Sequence, residues 1–271
     1  MARPGWYFSL LVAAVGCGSL GSPGGGDTDL PSTASGPFRR LDDDELPSGE
    51  ALTGLALDDV PDGLTLAVLP SGRRLLCYAL ARAAGPRAIF CASRDASELT
   101  FAHLETPVLE AELAWEGDEV LDPAIAVDDD GSVRLVYATV DGRIGIARSR
   151  DDGRTFGREI DEPIVIAAGW ETAPLRRPAL ARLADRDWLY YDGGSGIGVA
   201  TSDDGRTFRP EASPVLVAGT AGRFDAARVG APTVHVETTV AGRERLALWY
   251  DALDAMDIPS IGLAASFDGL R

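Results

Sequence analysis

The sequence predicts an all-β protein, a β-propeller with four recognisable blades of four strands each. One short segment recurs four times, about every 55 residues. Each copy lies among four short runs rich in Val, Ile, Leu, Tyr and Trp, which Gly, Asp and Pro turns separate. No window shows the 3.6-residue period of an amphipathic helix. One four-stranded sheet cannot bury both of its faces, so such units stack around an axis.

The recurring segment predicts the third strand of each blade and the turn after it. Its copies read IFCASRDASELTF, IGIARSRDDGRTF, IGVATSDDGRTF and IGLAASFDG, and they begin at Ile89, Ile144, Ile197 and Ile261. The predicted second strands align four tyrosines, Tyr78, Tyr137, Tyr191 and Tyr250. Prolines open three innermost strands, at Pro123, Pro178 and Pro232, and three outermost strands, at Pro107, Pro163 and Pro214.

The last repeat unit stops at Arg271, just after its third strand. We therefore expect the stretch from about Leu46 to Leu57 to supply the missing strand and close the ring; a truncated open reading frame is the alternative. If the N-terminal segment builds part of a further blade, the blades number five. The predicted organisation is a signal peptide at 1–16, a lipidated cysteine with a flexible tether at 17–44, and the propeller at 45–271.

The N-terminus is typical of an export signal. One early arginine precedes an apolar run from Trp6 to Val15, which is shorter than the roughly 20 residues of a membrane-spanning helix. The segment AVGC at 14–17 resembles a bacterial lipobox, in which the signal is cut before a cysteine that then carries lipid. An ordinary secretory signal with an incidental Cys17 is the alternative. We expect an exported protein of the cell envelope, at the outer membrane or cell surface, held to the membrane by a lipid anchor only.

Two further cysteines, Cys77 and Cys91, fall nearly opposite each other on neighbouring predicted strands. In an oxidising exported compartment they form a disulfide or remain two buried free thiols, and the sequence leaves both open.

The composition excludes several classes of function. There are 42 acidic and 25 basic residues, a net charge of -17, which disfavours binding to nucleic acid. Every basic residue is Arg, so lysine Schiff-base chemistry and a Walker-type phosphate loop are excluded. The 2 His and 3 Cys leave little material for a metal site. We expect no cofactor and a monomer, with any chemistry resting on carboxylates, arginines and aromatic side chains.

The turns after the third strands carry a resemblance to a known family. SRDDGRTF at 149–156 and TSDDGRTF at 201–208 resemble the Asp-box of sialidase-type propellers. The whole unit, with its proline-led strand, Tyr-rich strand and IGxAxSxDG segment, is similar to the five-bladed glycoside hydrolases and phosphorylases that act on arabinans, xylosides, fructosides and mannosides. The resemblance covers about 57–271 and implies a carbohydrate as partner. The Asp-box acids Asp151, Asp152, Asp203, Asp204 and Asp268 are best explained as turn-forming residues.

We take as candidate catalytic residues the positions at which one repeat unit carries a different residue from the other units. Asp122, Arg177 and Ala231 precede the prolines of three inner strands, so their side chains should meet at the mouth of the central channel. The resemblance implies a general base or pKa-tuning carboxylate at Asp122, but it expects a Glu acid where Arg177 stands. Asp192 and Asp251 follow the second strands and share that face, so Asp122 with either of them is the best carboxylate pair for glycoside cleavage. The alternative is that all three are solvated loop acids.

Candidate binding residues are two tryptophans, a histidine and arginines. Trp115 and Trp170 lie eight residues before the inner-strand prolines, and they act as wedges between blades or as platforms for sugar rings. His235 replaces an alanine of the other copies and is a site residue or a packing histidine. Arg176 and Arg177 are able to clamp a carboxylate or phosphate on a sugar.

Two functions follow from this sequence. The first is a cell-surface glycosidase-like propeller that binds, and in its active form hydrolyses, carbohydrate at the channel mouth. The second is a catalytically silent propeller that binds a ligand at the same mouth. The arginine at 177 and the lack of a Glu acid favour the second.

Overall fold

The computed structural model describes residues 52–55, 59–81, 85–167 and 169–270. Within them it forms four β-sheets, the four blades of a propeller, so the predicted all-β propeller is confirmed. The predicted signal peptide at 1–16 and the lipidated tether at 17–44 lie outside the described residues. No helix among the described residues is long and apolar enough to cross a membrane.

Blade I is a five-stranded sheet. Its strands are β1 (Leu52–Thr53), β2 (Asp62–Val68), β3 (Arg74–Ala81), β4 (Arg87–Arg94) and β5 (Phe101–His103). They lie in the order β1-β5-β4-β3-β2, so β2 is innermost. Residue 77 pairs with residue 91 across β3 and β4, and the two cysteines there form a disulfide.

Blades II and III repeat one plan, with three long antiparallel strands and two short outer strands. Blade II contains β6 (Val120–Val127), β7 (Val133–Thr139), β8 (Arg143–Ser149), β9 (Gly157–Arg158) and β10 (Val165–Ile166). Blade III contains β11 (Arg176–Leu183), β12 (Arg186–Asp192), β13 (Gly196–Ser202), β14 (Arg209–Pro210) and β15 (Leu216–Val217). Both short strands of each blade pair with its third long strand. The predicted outermost strand is therefore two short pieces.

Blade IV has three described strands, β16 (Arg228–Thr238), β17 (Glu244–Leu253) and β18 (Pro259–Ser266). The strand predicted to close the ring is placed differently from the prediction. Its described part, β1, runs parallel to β5 at the outer edge of blade I instead of completing blade IV. Apolar burial explains this position, because Leu52 and Leu55 pack against a buried cluster on blade I that includes Tyr78 and Phe90.

The repeated tyrosines and glycines are cross-strand partners. Tyr137 lies opposite Gly145 on β7 and β8, and Tyr191 lies opposite Gly198 on β12 and β13. A Cβ atom at Gly145 would lie 2.4 Å from the Tyr137 ring. Glycine is therefore required in the IG pair of the repeat because the neighbouring ring covers it.

The isoleucine that opens each repeat lies on the face that one blade presents to the next. Ile89, Ile144 and Ile197 are completely buried there, each in a core shared by two blades. Ile261 at the same position of blade IV is 50% exposed. Among the described residues, blade IV therefore presents an uncovered copy of a face that is buried in the other three blades.

The four innermost strands lie side by side in chain order, β2 beside β6, β6 beside β11 and β11 beside β16. Together they line an axial cavity of about 160 Å³. Each of them carries a register shift at the same place near its start. The fold therefore brings four equivalent irregularities to one end of the channel.

Candidate functional site

The irregularity in each inner strand is one residue with left-handed backbone. These residues are Gly63, Asp122, Arg177 and Ala231, with φ of 63°, 50°, 49° and 46°. Three of the four are not glycine, so each carries backbone strain that its surroundings must hold. Because a left-handed residue recurs in every blade, the kink belongs to the architecture. The three residues other than Gly63 bring three different side chains to the same end of the channel.

Asp122 is clamped between blades II and III. Its side chain is 1% exposed, and its Oδ2 accepts hydrogen bonds from Arg176 Nε at 2.5 Å and from the backbone N–H of Arg177 at 3.1 Å. Arg177 Nε lies 3.2 Å from Oδ1. Burial would lower the pKa of Arg176, but the contact with Asp122 outweighs it and the pKa is raised. Both oxygens of Asp122 lie near guanidinium nitrogens, and Oδ1 is buried without a hydrogen-bond partner among the described residues, so burial separates the carboxylate from water in the mouth.

Asp192 makes a similar clamp between blades III and IV. Its Oδ2 accepts hydrogen bonds from Arg228 Nη2 at 2.8 Å and from the backbone N–H of Ala231 at 3.3 Å. Its Oδ1 accepts from the N–H of Gly194 at 2.9 Å. The side chain is 7% exposed. Each of these buried carboxylates therefore fixes the kinked residue of the following inner strand.

Asp251 and Asp62 complete the mouth. Burial raises the pKa of the Asp251 carboxyl, and the nearby charge of Asp192 acts in the same direction, while Arg177 and Arg228 partly oppose it. Asp62 is 39% exposed at its side chain and accepts a hydrogen bond from Arg177 Nη2 at 3.4 Å. The environment of Asp251 therefore favours the protonated form of its carboxyl group more than water does.

These groups surround a cavity of about 570 Å³. Its charged lining comes from three blades and consists of Asp62, Arg176, Arg177, Asp192, Arg228 and Asp251. Small residues such as Gly194 and Ala231 complete it. The lining is therefore polar, with hydrogen-bond donors and acceptors interspersed.

The structure thus brings together five of the predicted site residues: Asp192, Asp251, Arg176 and Arg177 line the cavity, and Asp122 lies directly behind it. Arg228 and Asp62 were missed by the sequence reasoning. Alignment of the inner strands on their left-handed residues would have found Asp62, because it directly precedes Gly63, and Gly63 is the blade I equivalent of Asp122. No repeat pattern marks Arg228, because it precedes the aligned segment.

The two predicted tryptophans each stack on the repeated tyrosine of their own blade. Trp115 stacks on Tyr137 with ring centroids 6.3 Å apart, and Trp170 stacks on Tyr191 at 6.4 Å. Phe224 repeats the arrangement on blade IV. The sequence left two roles open for these tryptophans, a packing wedge and a platform for sugar rings. Their placement corresponds to the wedge, because the rings cover the tyrosines rather than the cavity.

Each wedge has a carboxylate beneath it. On blade II the Tyr137 hydroxyl donates to Glu116 Oε1 at 2.5 Å, and Arg158 Nε donates to the same oxygen at 2.7 Å. Burial would raise the pKa of Glu116, but the bonds from Arg158, the backbone and Tyr137 outweigh it and lower the pKa. The Tyr191–Glu171 and Tyr250–Asp225 pairs repeat the bond at 3.2 Å. These acids therefore fasten the loops that enter the inner strands.

His235 lies further along β16, opposite Ala247, and its Nε2 is 3.9 Å from Glu237. The acids of the turns after the third strands bond locally. Asp151 accepts from the N–H groups of Arg154 and Thr155, and Asp204 accepts from those of Arg206 and Thr207. Within the described ranges no group of three His, Cys, Asp or Glu side chains is arranged to hold a metal ion.

Comparison with known proteins gives structural likeness alone. No family model and no curated protein matches the sequence. A glycosyl hydrolase from Bacteroides ovatus is 18% identical, with a TM-score of 0.58 over 75% of this chain and 66% of that one. A thermostable family-43 glycoside hydrolase is 17% identical, with a TM-score of 0.55 over 74% and 70%. The native Bacillus subtilis arabinanase is 15% identical, with a TM-score of 0.54 over 76% and 72%.

The fold is that of the β-propeller glycoside hydrolases. At such identities the likeness concerns the fold, and the chain spans 66% to 72% of the length of these three structures. In this propeller the mouth cavity lies where the inner strands of three blades begin.

Proposed function

We propose that this propeller binds carbohydrate in the mouth cavity without cleaving it. The chemistry of the lining supports the ligand class. Sugar hydroxyl groups donate and accept hydrogen bonds at once, and the cavity offers carboxylate acceptors and guanidinium donors within about 570 Å³.

The observation that carries the lack of hydrolysis is the clamp on Asp122. A general base must reach the water that it activates, whereas this carboxylate is 1% exposed and faces Arg176 and Arg177. The equivalent positions of the other inner strands hold Gly63, Arg177 and Ala231, which supply no carboxyl group. The usual division of labour between an acid and a base on these strands is therefore absent.

A second candidate, hydrolysis by Asp251 with Asp192, has one observation in its favour. Glycoside cleavage needs one carboxyl group that holds its proton at working pH, and burial raises the pKa of Asp251 beside Asp192. Against it, Asp192 is 7% exposed and already binds Arg228. Binding without turnover is therefore the preferred function.

The decisive experiment screens one purified protein against plant and microbial oligosaccharides for two signals, heat of binding and release of reducing sugar. We expect binding without release of reducing sugar. Ala231→Trp places a large side chain in the cavity that Ala231 lines and should abolish binding. Ala265→Ser on the exposed face of blade IV is the control. Release of sugar that Asp251→Asn abolishes and Asp268→Asn leaves intact would establish the second candidate instead.

We further propose that the protein is an exported lipoprotein anchored through Cys17. The lipobox-like AVGC segment supports this, and so does the Cys77–Cys91 disulfide, which persists in oxidising compartments. The acidic body would be repelled by anionic headgroups, so the anchor must be covalent. Labelling with radioactive palmitate, followed by membrane fractionation, should place the label on the protein, and Cys17→Ala should remove both label and anchorage.

The turns at 149–156 and 201–208 are proposed as Asp-box turns.

A further inference from the structure

The exposed part of the mouth is richer in arginine than its overall composition suggests. Among the paired groups, the Arg176 and Arg228 side chains are 37% and 38% exposed, whereas their partners Asp122 and Asp192 are 1% and 7% exposed. The acids lie behind the arginines and hold them in place. A ligand in the cavity therefore meets the Arg176 and Arg228 guanidinium groups, together with the Asp62 carboxylate, which is 39% exposed.

The pairing leaves donors available on both arginines. Arg176 contacts Asp122 through Nε, and Arg228 contacts Asp192 through Nη2. A guanidinium group carries five N–H donors in a fixed plane, so each side chain keeps several donors for a ligand. Because the acids already fix the two side chains, little conformational entropy is lost when a ligand binds them.

We propose that the mouth cavity binds a sugar that carries an anionic group, a carboxylate or a sulfate, and that Arg176 and Arg228 hold that group. This proposal rests on the proposed carbohydrate-binding function and names its ligand class. Two oxygens of an anionic group match the guanidinium fork, and charge-assisted hydrogen bonds of this kind are roughly twice as strong as neutral ones.

The opposing charges of the site do not outweigh this contact. Asp62 and Asp251 also line the cavity, and the whole chain has a net charge of -17. Charges farther from the cavity than the Debye length of about 8 Å at physiological salt are weakened by screening. Asp62 is itself bonded to Arg177. The direct contacts to two fixed guanidinium groups therefore dominate the binding energy, while distant acids slow the approach of the ligand.

Calorimetric titration of the full chain tests the proposal with two matched pairs of probes. One pair is an oligogalacturonide and the same oligosaccharide with its carboxyl groups reduced to alcohols; the other is a sulfated galactan oligosaccharide and its desulfated form. We expect at least one acidic probe to bind about tenfold more tightly than its neutral partner. If the oligogalacturonide pair shows this preference, the bound group is a carboxylate; if the galactan pair shows it, the group is a sulfate.

Variants locate the contact. Arg228→Gln should lower affinity for the acidic probe about tenfold and leave the neutral probe unchanged. Arg228→Lys keeps the charge beside Asp192 but loses the fork, so it separates a folding defect from lost recognition. Arg186→Gln, at the other end of the strand that ends at Asp192 and paired with Asp203, is the matched control.

Each outcome decides a question. A neutral probe that binds as tightly as its acidic partner overturns the anionic proposal and leaves carbohydrate binding standing. If none of the four probes nor the wider oligosaccharide screen binds, both proposals are overturned. An acidic preference that survives both Arg228 variants contradicts the assignment of the arginines.

Discussion

Asp122 and Arg177 occupy the same kinked position on two neighbouring inner strands, and the backbone N–H of Arg177 donates a hydrogen bond to the Asp122 carboxylate at 3.1 Å. The residue that the repeats mark as a candidate base is thus bound by the residue that stands in place of the expected acid. Arg177 Nε also lies 3.2 Å from the same carboxylate. The arginine at 177 therefore provides the partner for the buried aspartate at 122, and the contact joins blades II and III.

The first prediction concerns Asp122→Asn, which we expect to destabilise the protein by about 2 kcal/mol. The variant keeps the shape but removes the charge that Arg176 and Arg177 share, and bonds to charged groups contribute about 1.5 to 3 kcal/mol. Chemical denaturation of both proteins measures the difference. Asp203→Asn, whose partner Arg186 is exposed, should change stability by less than about 0.5 kcal/mol. If Asp122→Asn and Asp203→Asn were both as stable as the parent protein, the contacts of Asp122 with Arg176 and Arg177 would not stabilise the fold.

The second prediction compares one repeat position in two blades. Ile197→Ala should cost about 2 to 5 kcal/mol, because Ile197 is completely buried between blades III and IV. Ile261→Ala at the same position of blade IV should cost less than about 1 kcal/mol, because Ile261 is 50% exposed. Denaturant midpoints of the two variants give the comparison. A similar large loss for both would mean that the blade IV face is covered in solution.

The repeats predicted the fold well because each blade needs the same buried side chains. The aligned tyrosines and the IG pairs are direct cross-strand partners, so their recurrence carries structural information in the sequence itself. The position of the closing strand was not predictable in the same way. β1 is two residues long, and its place is decided by burial of Leu52 and Leu55 on blade I, a tertiary effect without a local pattern.

The candidate site was predictable in its location and less so in its partners. Comparison of the copies found Asp122 and Arg177 at the kinks of two inner strands, and Asp192 at the end of a second strand that reaches the same mouth. It did not reveal that Arg228 reaches Asp192, since that contact joins two blades and arises only when the sheets pack. Trp170, for which the sequence left a wedge and a sugar platform open, stacks on Tyr191 of its own blade.

The third prediction concerns the Cys77–Cys91 disulfide. The two residues are 14 apart in sequence, and a loop of that size restricts the unfolded chain by about 3 kcal/mol. Reductant should therefore lower the denaturation midpoint of the protein. Cys77→Ala/Cys91→Ala should be less stable than the parent and insensitive to reductant. A parent protein whose midpoint reductant leaves unchanged would indicate that the disulfide contributes nothing to stability.

The fourth prediction is a pH dependence of stability that depends on Glu116. This buried carboxylate accepts bonds from Tyr137, Arg158 and two backbone N–H groups, so its pKa in the folded protein lies below the ordinary 4.5. A carboxyl group whose pKa is lowered by folding stabilises the protein above its unfolded pKa, and that stability is lost as the pH falls through the folded value. Glu116→Gln should remove this contribution.

Denaturant unfolding of the parent and of Glu116→Gln at pH 7 and at pH 3 measures it. At pH 7 the variant should be less stable by about 3 kcal/mol, because Arg158 loses its buried partner. At pH 3, below the unfolded pKa, the gap should narrow, since the unfolded parent binds a proton at Glu116 that folding opposes. Glu112→Gln, at an exposed partner of Arg158, is the control and should show a small, pH-independent change. A gap for Glu116→Gln that stays constant with pH would contradict a charged carboxylate beneath the wedge.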